Sequence, residues 1–200
     1  MSAPGWPVEL HEGAVGLRPI RRRDAGAWRE VRARNGRWLG PWEATPPDPR
    51  AAPVSFGATV RFLLGEARAG RAMPLVVTWQ NALVGQVTVS GITRGSLCSA
   101  QIGYWVDEAH AGRGIIPTAV ALTVDHCFGA GALHRVEVNI RPENAASLRV
   151  VEKLGFRDEG LRPRLLHIDG DWRDHRSFAL LREEVPEGLL PRWRRIQAQR

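Results

Sequence analysis

Two glycines flank an arginine in the segment DEAHAGRGIIPT, residues 107–118. Apolar residues at helical spacing follow at once, so the segment predicts a loop that leads into a helix. The first turn of a helix leaves backbone N–H groups without partners and carries partial positive charge. Since Gly112 and Gly114 have no side chains, a ligand can approach the backbone closely, and Arg113 adds a full charge. These features suit a phosphate or pyrophosphate, although a plain tight turn into a helix has the same pattern.

A second polar segment, RPENAASLRVVEKLGF, covers residues 141–156. Asn144 is placed to cap the start of a helix, and Gly155 is placed to end it. Ser147 falls in the first turn of that helix, where its hydroxyl can bond either the backbone or a ligand. The segment follows the glycine loop after one predicted strand.

The spacing of apolar residues predicts the elements that must position both segments. Alternating or continuous apolar runs predict seven strands, at residues 14–20, 73–79, 82–92, 98–106, 135–140, 165–168 and 171–181. Repeats of three and four residues predict four helices, at residues 22–39, 55–70, 116–127 and 144–155. Two-residue turns at Gln80–Asn81 and Asp169–Gly170 predict hairpins, and a proline-rich loop covers residues 41–53. This order predicts an α/β protein with a mixed sheet and helices packed on its faces.

Composition and charge restrict the class of protein. With 200 residues, of which 24% are charged and 44% hydrophobic, the chain is typical of one globular domain. We expect that domain to cover residues 1–186 and a basic tail to cover residues 187–200, loosely ordered over residues 191–200. No apolar run reaches membrane-spanning length and the first residues do not resemble a signal peptide, so we expect a cytoplasmic protein. Cys98 and Cys127 lack the spacing of a metal site or a disulfide framework, and the net charge of +7 favours an anionic ligand or partner.

Three segments together resemble the GNAT acetyltransferase superfamily: IGYWVDEAHAGRGI, HRVEVNIRPENAASLRVVEKLGF and IDGDWRDH. The resemblance covers roughly Leu17 to Glu184 and is closest to the ribosomal-protein N-terminal acetyltransferases of the RimJ/RimL type. It implies a GNAT fold with about seven mostly antiparallel strands, splayed at the cofactor site, and about four helices. It also implies acetyl-CoA as the cofactor, coenzyme A as a product and no metal.

The resemblance implies that the glycine loop binds the pyrophosphate of the cofactor. The family pattern is Gln/Arg-x-x-Gly-x-Gly/Ala, which Gly114 matches and from which Ala111 and Ile116 depart. A cradle made mostly of backbone tolerates these departures. The strand before the loop would pair its backbone with the pantetheine amides, as an added strand does. The expected cofactor residues are Trp105, Val106, Ala111, Gly112, Arg113, Gly114, Ile115, Ile116, Pro117, Thr118, Asn139, Asn144 and Ser147.

Acetyl transfer needs a neutral amine and a way to quench the departing thiolate. The resemblance implies Ser147 as the partner of the thiolate and Asn144 as a hydrogen-bond partner of the pantetheine arm near its reacting end. The base is open: Glu137, on the same strand face as Asn139, is the first candidate. Its alternatives are Glu30, Glu43 and Asp174. Some relatives carry an acid in the strand after LGF, where this chain has Leu166.

The strand before the loop also lacks a carboxylate, since it contains Ser99, Ala100 and Gln101 where many relatives have one. An α-amino group has a pKa of about 7.8, so roughly a fifth of it is neutral at about pH 7.2. A lysine, with a pKa of about 10.4, is neutral in well under about 0.1%. An enzyme for α-amines therefore needs a much weaker base. The missing carboxylate favours an N-terminal acceptor over a lysine.

The acceptor is expected between residues 34–49 and the last hairpin. Residues 34–49 contain Trp38 and Trp42 and are called the aromatic loop. The expected acceptor residues are Trp38, Trp42, Glu43, Tyr104, Trp172 and Asp174. The first hypothesis is a protein N-terminus, such as that of a ribosomal protein, with weak RNA contact through basic segments such as residues 21–23. A small-molecule amine and a non-catalytic acyl-CoA-binding or ribosome-associated protein are the alternatives, and both a monomer and a homodimer fit the sequence.

Overall fold

The computed structural model describes residues 3–48, 50–52 and 54–199, so Pro49 and Pro53 of the predicted loop lie outside the described residues. The strands are β1 (Leu10–Glu12), β2 (Val15–Pro19), β3 (Met73–Trp79), β4 (Ala82–Thr93), β5 (Ser99–Val106), β6 (Arg135–Ile140), β7 (Arg157–Ile168) and β8 (Asp171–Leu181). The helices are α1 (Ala25–Arg34), α2 (Gly36–Leu39), α3 (Phe56–Arg68), α4 (Ile115–Phe128), α5 (Ala145–Leu154) and α6 (Leu189–Ala198). None of the helices in these ranges is long and apolar enough to cross a membrane.

All eight strands form one sheet in the order β1-β2-β3-β4-β5-β6-β8-β7. Every neighbouring pair is antiparallel except β5 and β6, which are parallel and pair only between residues 99–101 and 135–137. Beyond Gln101 the two strands diverge, and the remainder of β5 has no strand partner on that side within the described residues. The predicted mixed, mostly antiparallel and splayed sheet is therefore confirmed, with one strand and two helices more than expected.

The two predicted hairpin turns are confirmed by their backbone angles. Gln80 and Asn81 both have positive φ, and so do Asp169 and Gly170. Two successive positive φ values are typical of the type I′ turn, whose twist matches that of the flanking strands. Strand β7 begins at residue 157, earlier than predicted. The sequence did not predict its first half because that half is exposed, polar and irregular in pairing. Such a sequence is tolerated at the edge of a sheet.

Helix α4 is central to the core, and the chain end covers it. Of its residues only Asp125 and His126 are not buried, so the predicted amphipathic helix is wrong: α4 is apolar on nearly all sides. The physical reason is α6, which packs Leu189 and Trp193 against α4. The carboxylate of Asp125 accepts hydrogen bonds from the N–H groups of Leu189 and Leu190 and so holds the start of α6. The expectation of a loosely ordered tail is therefore wrong for residues 191–198, which belong to α6.

Candidate active site

A cavity of about 770 Å³ opens where β5 and β6 diverge, beside the first turns of α4 and α5. It brings together most of the residues predicted from the sequence: Trp38, Trp42, Glu43, Tyr104, Trp105, Val106, Ala111, Gly112, Gly114, Ile115, Ile116, Pro117, Asn139, Asn144 and Ser147. Five predicted residues lie outside its wall: Arg113, Thr118, Glu137, Trp172 and Asp174. The site thus has one continuous wall made of the glycine loop, the free edge of β5 and the start of α5.

The glycine loop presents a run of unpaired backbone donors. Gly112 and Gly114 have φ of 78° and 76°, in the left-handed region that favours glycine. In the described chain, the N–H groups of residues 112–116 have no hydrogen-bond acceptor, whereas the N–H of Ala111 is bonded to the carbonyl of Glu108. Five successive free N–H groups before a 14-residue helix form an anion site of the size of a pyrophosphate.

Two predicted loop residues have other roles. The N–H of Thr118 donates to the carbonyl of Gly114, and its hydroxyl accepts from the indole N–H of Trp193 at 2.8 Å. Thr118 is also buried, so the predicted cradle ends before it. Arg113 is exposed on the outside of the loop, where it can add positive charge without lining the cavity.

The free edge of β5 offers backbone groups to an extended ligand. The N–H of Asp107 donates to the carbonyl of Val84 in β4 at 2.7 Å. Backbone groups alternate along a strand, so those of Trp105 also face β4, while those of Tyr104 and Val106 face the cavity. The carbonyl of Val106 accepts the indole N–H of Trp38 at 3.1 Å. Of the two residues expected to pair with pantetheine, Val106 is therefore correctly oriented and Trp105 is not.

Tyr104 and the start of α5 connect the two walls of the cavity. The phenol of Tyr104 donates to the carbonyl of Ser147 at 3.4 Å, and burial raises the pKa of Tyr104 far above its ordinary value. The side-chain oxygen of Asn144 accepts the N–H of Ser147 at 3.0 Å, so Asn144 is a helix cap, as its position predicts. Within the described residues the hydroxyl of Ser147 has no hydrogen-bond partner, which leaves it available to a ligand.

Strand β6 places its two polar residues differently. The side-chain oxygen of Asn139 accepts the hydroxyl of Ser177 at 2.6 Å on the cavity side. Glu137 lies two residues earlier and bonds the guanidinium groups of Arg135 and Arg162 instead. A carboxylate held between two cations, outside the cavity, is badly placed to take a proton from a bound amine. The structure thus does not support Glu137 as the base.

The aromatic loop forms the opposite wall. Glu43 makes an ion pair with Arg32, whose guanidinium lies 5.3 Å from the ring centre of Trp28. The guanidinium of Arg141 lies 5.6 Å from the ring centre of Trp42 and donates to the carbonyl of Pro41. The loop is therefore attached both to α1 and to the end of β6.

A bridge between Ala44 and Ile168 joins the same loop to the β7–β8 hairpin. From that hairpin, Leu166 and His175 line the cavity, and the two residues predicted to do so do not. Trp172 is 47% exposed and packs on His167, while the carboxylate of Asp174 accepts the N–H of Arg164. His175 also lines the cavity. It is the last residue of the segment IDGDWRDH, of which only Trp172 and Asp174 were predicted to have a role.

His175 is only 3% exposed, and its Nδ1 lies 3.0 Å from the carbonyl oxygen of Arg173. Burial lowers its pKa from the usual value. The signal that could have pointed to His175 is its place in the segment IDGDWRDH, one of the three that resemble the GNAT superfamily.

A buried carboxylate anchors the start of the glycine loop. Asp107 is 1% exposed and accepts hydrogen bonds from Arg34 at 2.6 Å, from Asn35 at 2.8 Å and from His110 at 3.0 Å. The side-chain oxygen of Asn35 accepts the N–H of Glu108 in turn. The hydrogen bond from Arg34 holds the pKa of Asp107 far below its usual range. This network, which no sequence pattern indicated, ties α1 and α2 to the loop.

Comparison with known proteins identifies the family. The family model of the acetyltransferase (GNAT) domain matches residues 14–157. The structure is similar to that of Mycobacterium smegmatis RimJ in complex with CoA-disulfide, with a TM-score of 0.90, 43% identity and 95% of each chain covered.

Two curated relatives are also similar to this chain in sequence. The alanine N-acetyltransferase of ribosomal protein uS5 from Escherichia coli is 27% identical over 86% of this chain and 90% of its own. The probable N-acetyltransferase YjcK of Bacillus subtilis is 46% identical over 99 residues, which span 50% of this chain and only 55% of that protein. The chain belongs to the GNAT family of N-acetyltransferases.

Proposed function

We propose that the protein transfers the acetyl group of acetyl-CoA to the N-terminal α-amine of a protein, in a ternary complex and by direct attack. The observation that carries this proposal is the cavity itself. It has a cradle of free N–H groups at residues 112–116 at one end and an aromatic loop around Trp38 and Trp42 at the other. The cofactor fits the first part, and an extended peptide fits the second.

The cofactor placement follows from the chemistry of each wall. The pyrophosphate would accept hydrogen bonds from the N–H groups of residues 112–116, with Arg113 adding charge from outside. The pantetheine arm would then run along the free edge of β5, where Val106 offers its backbone N–H. This path leads the thioester towards Ser147 at the start of α5. Mycobacterium smegmatis RimJ, which shares 43% of its sequence with this chain, was solved with CoA-disulfide.

The reaction exchanges one bond for another at the acetyl carbonyl carbon. The amine nitrogen attacks that carbon, the new N–C bond forms, and the C–S bond breaks to release the thiolate of coenzyme A. The hydroxyl of Ser147 donates a proton to that sulfur, because it is free of partners among the described residues and lies on the cavity wall. Tyr104 and Asn144 act on Ser147 by holding its backbone carbonyl and N–H.

The charges of the cavity wall and the relatives support the proposed acceptor. Glu43, a carboxylate of that wall, is paired with Arg32, so it is not free to bind a lysine ammonium. An α-amine, already neutral in roughly a fifth of molecules at about pH 7.2, needs less help. The relative from Escherichia coli is named for the alanine N-terminus of ribosomal protein uS5. We therefore propose a ribosomal protein as the acceptor.

A basic patch away from the cavity suits a ribosomal partner. Arg22, Arg29 and Arg61 line a second depression between α1 and α3, beside Trp28 and Phe56. None of the three arginines forms an ion pair with another described residue. Unpaired guanidinium groups beside aromatic rings are suited to a phosphate backbone, and we propose this patch as the contact with ribosomal RNA.

Mass spectrometry of modified peptides tests the acceptor. Peptides with a free N-terminal alanine or serine and one internal lysine would be incubated with acetyl-CoA, alongside matched peptides whose N-terminus is blocked. We expect acetyl groups on the α-amine and no turnover of blocked peptides. Acetylation mainly of lysine, or turnover only with small non-peptide amines, would overturn the assignment.

A further inference from the structure

We propose that Nε2 of His175 accepts the proton of the attacking amine, either directly or through one water molecule. The inference rests on the proposed function, since it adds the general base to that reaction. His175 lies on the cavity wall contributed by β8, which no sequence motif assigned to the chemistry.

The hydrogen bond of the other ring nitrogen sets the protonation state of Nε2. Nδ1 lies 3.0 Å from the carbonyl oxygen of Arg173, and a carbonyl can only accept, so Nδ1 carries the hydrogen. In the neutral imidazole, Nε2 is then an acceptor with a free lone pair. Backbone contact thus selects the tautomer that a base needs.

The second ring nitrogen opens on the cavity. Nε2 makes no hydrogen bond to any described residue, yet no polar side-chain atom in the described chain is both fully buried and unpaired. Since His175 is only 3% exposed and lines the cavity, its accessible atoms face that space. A lone pair directed into a cavity that suits an amine acceptor is the geometry of a general base.

Burial, more than the surrounding charges, lowers the pKa of His175, and the carboxylates of Glu143 and Asp174 act in the opposite direction. The side chains that act on it are Arg141 and Glu143 after β6 and Asp174 on its own strand, and Arg162 of β7 is its pairing partner. Burial and the nearby cation of Arg141 lower the pKa of His175. The imidazole is therefore unprotonated near pH 7, in the form that can accept a proton.

The position of His175 beside the aromatic loop supports the same role. Ile140 pairs with Arg176, so Arg141 follows opposite His175. The guanidinium of Arg141 donates to Pro41 and lies over Trp42, which puts His175 beside the loop proposed to hold the peptide. The four carboxylates considered as bases are engaged elsewhere. Glu137, Glu43 and Glu30 pair with arginines, and Asp174 accepts a backbone N–H.

The proton balance is complete with groups at the site. When the neutral amine attacks, its nitrogen becomes positively charged and loses one proton to Nε2 of His175. The tetrahedral intermediate then releases the thiolate, which takes a proton from Ser147. The serine is then an alkoxide and His175 an imidazolium. The imidazolium returns its proton to the alkoxide through solvent, so both groups are restored before the next turnover.

The test replaces His175 by asparagine. The side-chain amide of asparagine can still donate to the carbonyl of Arg173, so a purely structural role would survive, whereas the lone pair of Nε2 is lost. We expect kcat/KM for the peptide to fall roughly 10²-fold, with the affinity for acetyl-CoA unchanged. His134→Gln is the matched control, because His134 is half-exposed, lies outside the cavity and pairs with Glu183.

A second acceptor separates the pKa of the enzyme from that of the amine. A peptide with an N-terminal aminooxy group stays neutral well below pH 7. Protonation of the acceptor therefore causes no loss of activity there, that is, no acid limb in the plot of rate against pH. We expect wild type and His134→Gln to lose activity on this acceptor as pH falls through the lowered pKa of His175, and His175→Asn to show no such limb.

Two results would overturn the role of His175. One is a His175→Asn enzyme with kcat/KM within about threefold of wild type. The other is an acid limb that persists unchanged in this variant. By contrast, a wild-type enzyme that leaves every α-amine unmodified would reject the proposed function, and the two failures are therefore distinguishable.

Discussion

Replacing Gly114 by valine should weaken coenzyme A binding by more than tenfold. The φ of Gly114 is +76°, and a side chain in this left-handed region costs about 1–2 kcal/mol even without branching. A Cβ atom there would also lie 3.2 Å from Nε2 of Gln197 and 3.4 Å from Cζ2 of Trp193 in α6. Crowding of this kind costs about 1–3 kcal/mol, although the flexible end of Gln197 can move.

The loop of the Gly114→Val protein can relieve this strain only by a change in its backbone dihedral angles. Such a change reorients its N–H groups. A hydrogen bond to a charged group contributes about 1.5–3 kcal/mol. Loss of one such bond to the pyrophosphate therefore lowers affinity by roughly 10- to 150-fold, since about 1.4 kcal/mol is a factor of ten. The free energy of unfolding should fall by about 2–5 kcal/mol if the loop resists rotation.

Isothermal titration calorimetry with coenzyme A would measure the affinity, after urea unfolding has established conditions in which each variant is folded. Gly91→Val is the matched control: its φ is +60°, a Cβ atom added there would meet no atom within 4 Å, and it lies outside the cavity wall. This control should lose stability through backbone strain and keep its affinity. A folded Gly114→Val protein that binds coenzyme A within about threefold of wild type would refute the placement of the pyrophosphate.

Two further predictions concern the reacting end and the loop anchor. Ser147→Ala should lower turnover roughly 10²-fold while the affinity for acetyl-CoA stays unchanged; an equal loss in both would indicate a structural role instead. Asp107→Asn should lower the free energy of unfolding at pH 7 by roughly 2 kcal/mol, because it loses charge-assisted bonds to Arg34. Since the pKa of Asp107 is lowered by folding, its contribution is present above the ordinary pKa of about 3.9 and is lost in stronger acid. The gap between wild type and variant, measured by urea unfolding, should therefore narrow below about pH 4, and a constant gap would contradict the reasoning.

Local signals in the sequence predicted the parts of the site that depend on local physics. The left-handed glycines, the cap at Asn144 and the two hairpin turns each need a particular residue type at one backbone position. Most strands of the sheet could be predicted in the same way, from the apolar pattern of their residues, whereas β1 and the exposed first half of β7 lack that pattern. The cavity wall formed by residues 111, 112 and 114–117 follows from these signals.

The sequence could not predict side-chain orientations and partners that depend on contacts between residues far apart in the chain. Whether Glu137 or His175 faces the cavity is decided by neighbouring strands: Glu137 lies near Arg162 of β7, and His175 faces the space left where β5 diverges. The same is true of Asp107, whose partners Arg34 and Asn35 lie more than 70 residues away in sequence. Trp172 and Asp174 were expected in the cavity because they belong to the last hairpin, but strand alternation and turn position direct them elsewhere.

The end of the chain shows how charge can conceal packing. The basic residues of segment 191–200 predicted a loose tail, whereas Leu189 and Trp193, four residues apart, form the buried face of a helix. That helix, α6, packs against the glycine loop. Trp193 bonds Thr118, and with Gln197 it packs under Gly114, while Asp125 of α4 holds the start of α6.

These contacts explain why the glycine loop can present five N–H groups in one direction. Unpaired donors and left-handed backbone are each unfavourable alone, and they persist when the surrounding structure restricts the alternatives. Asp107 restricts the loop at its start and α6 restricts it at its end. Because these contacts within the chain order the cradle, less conformational entropy is lost when the cofactor binds. The departures of Ala111 and Ile116 from the family pattern are then compatible with cofactor binding, since the backbone that makes the hydrogen bonds is positioned by residues outside the loop.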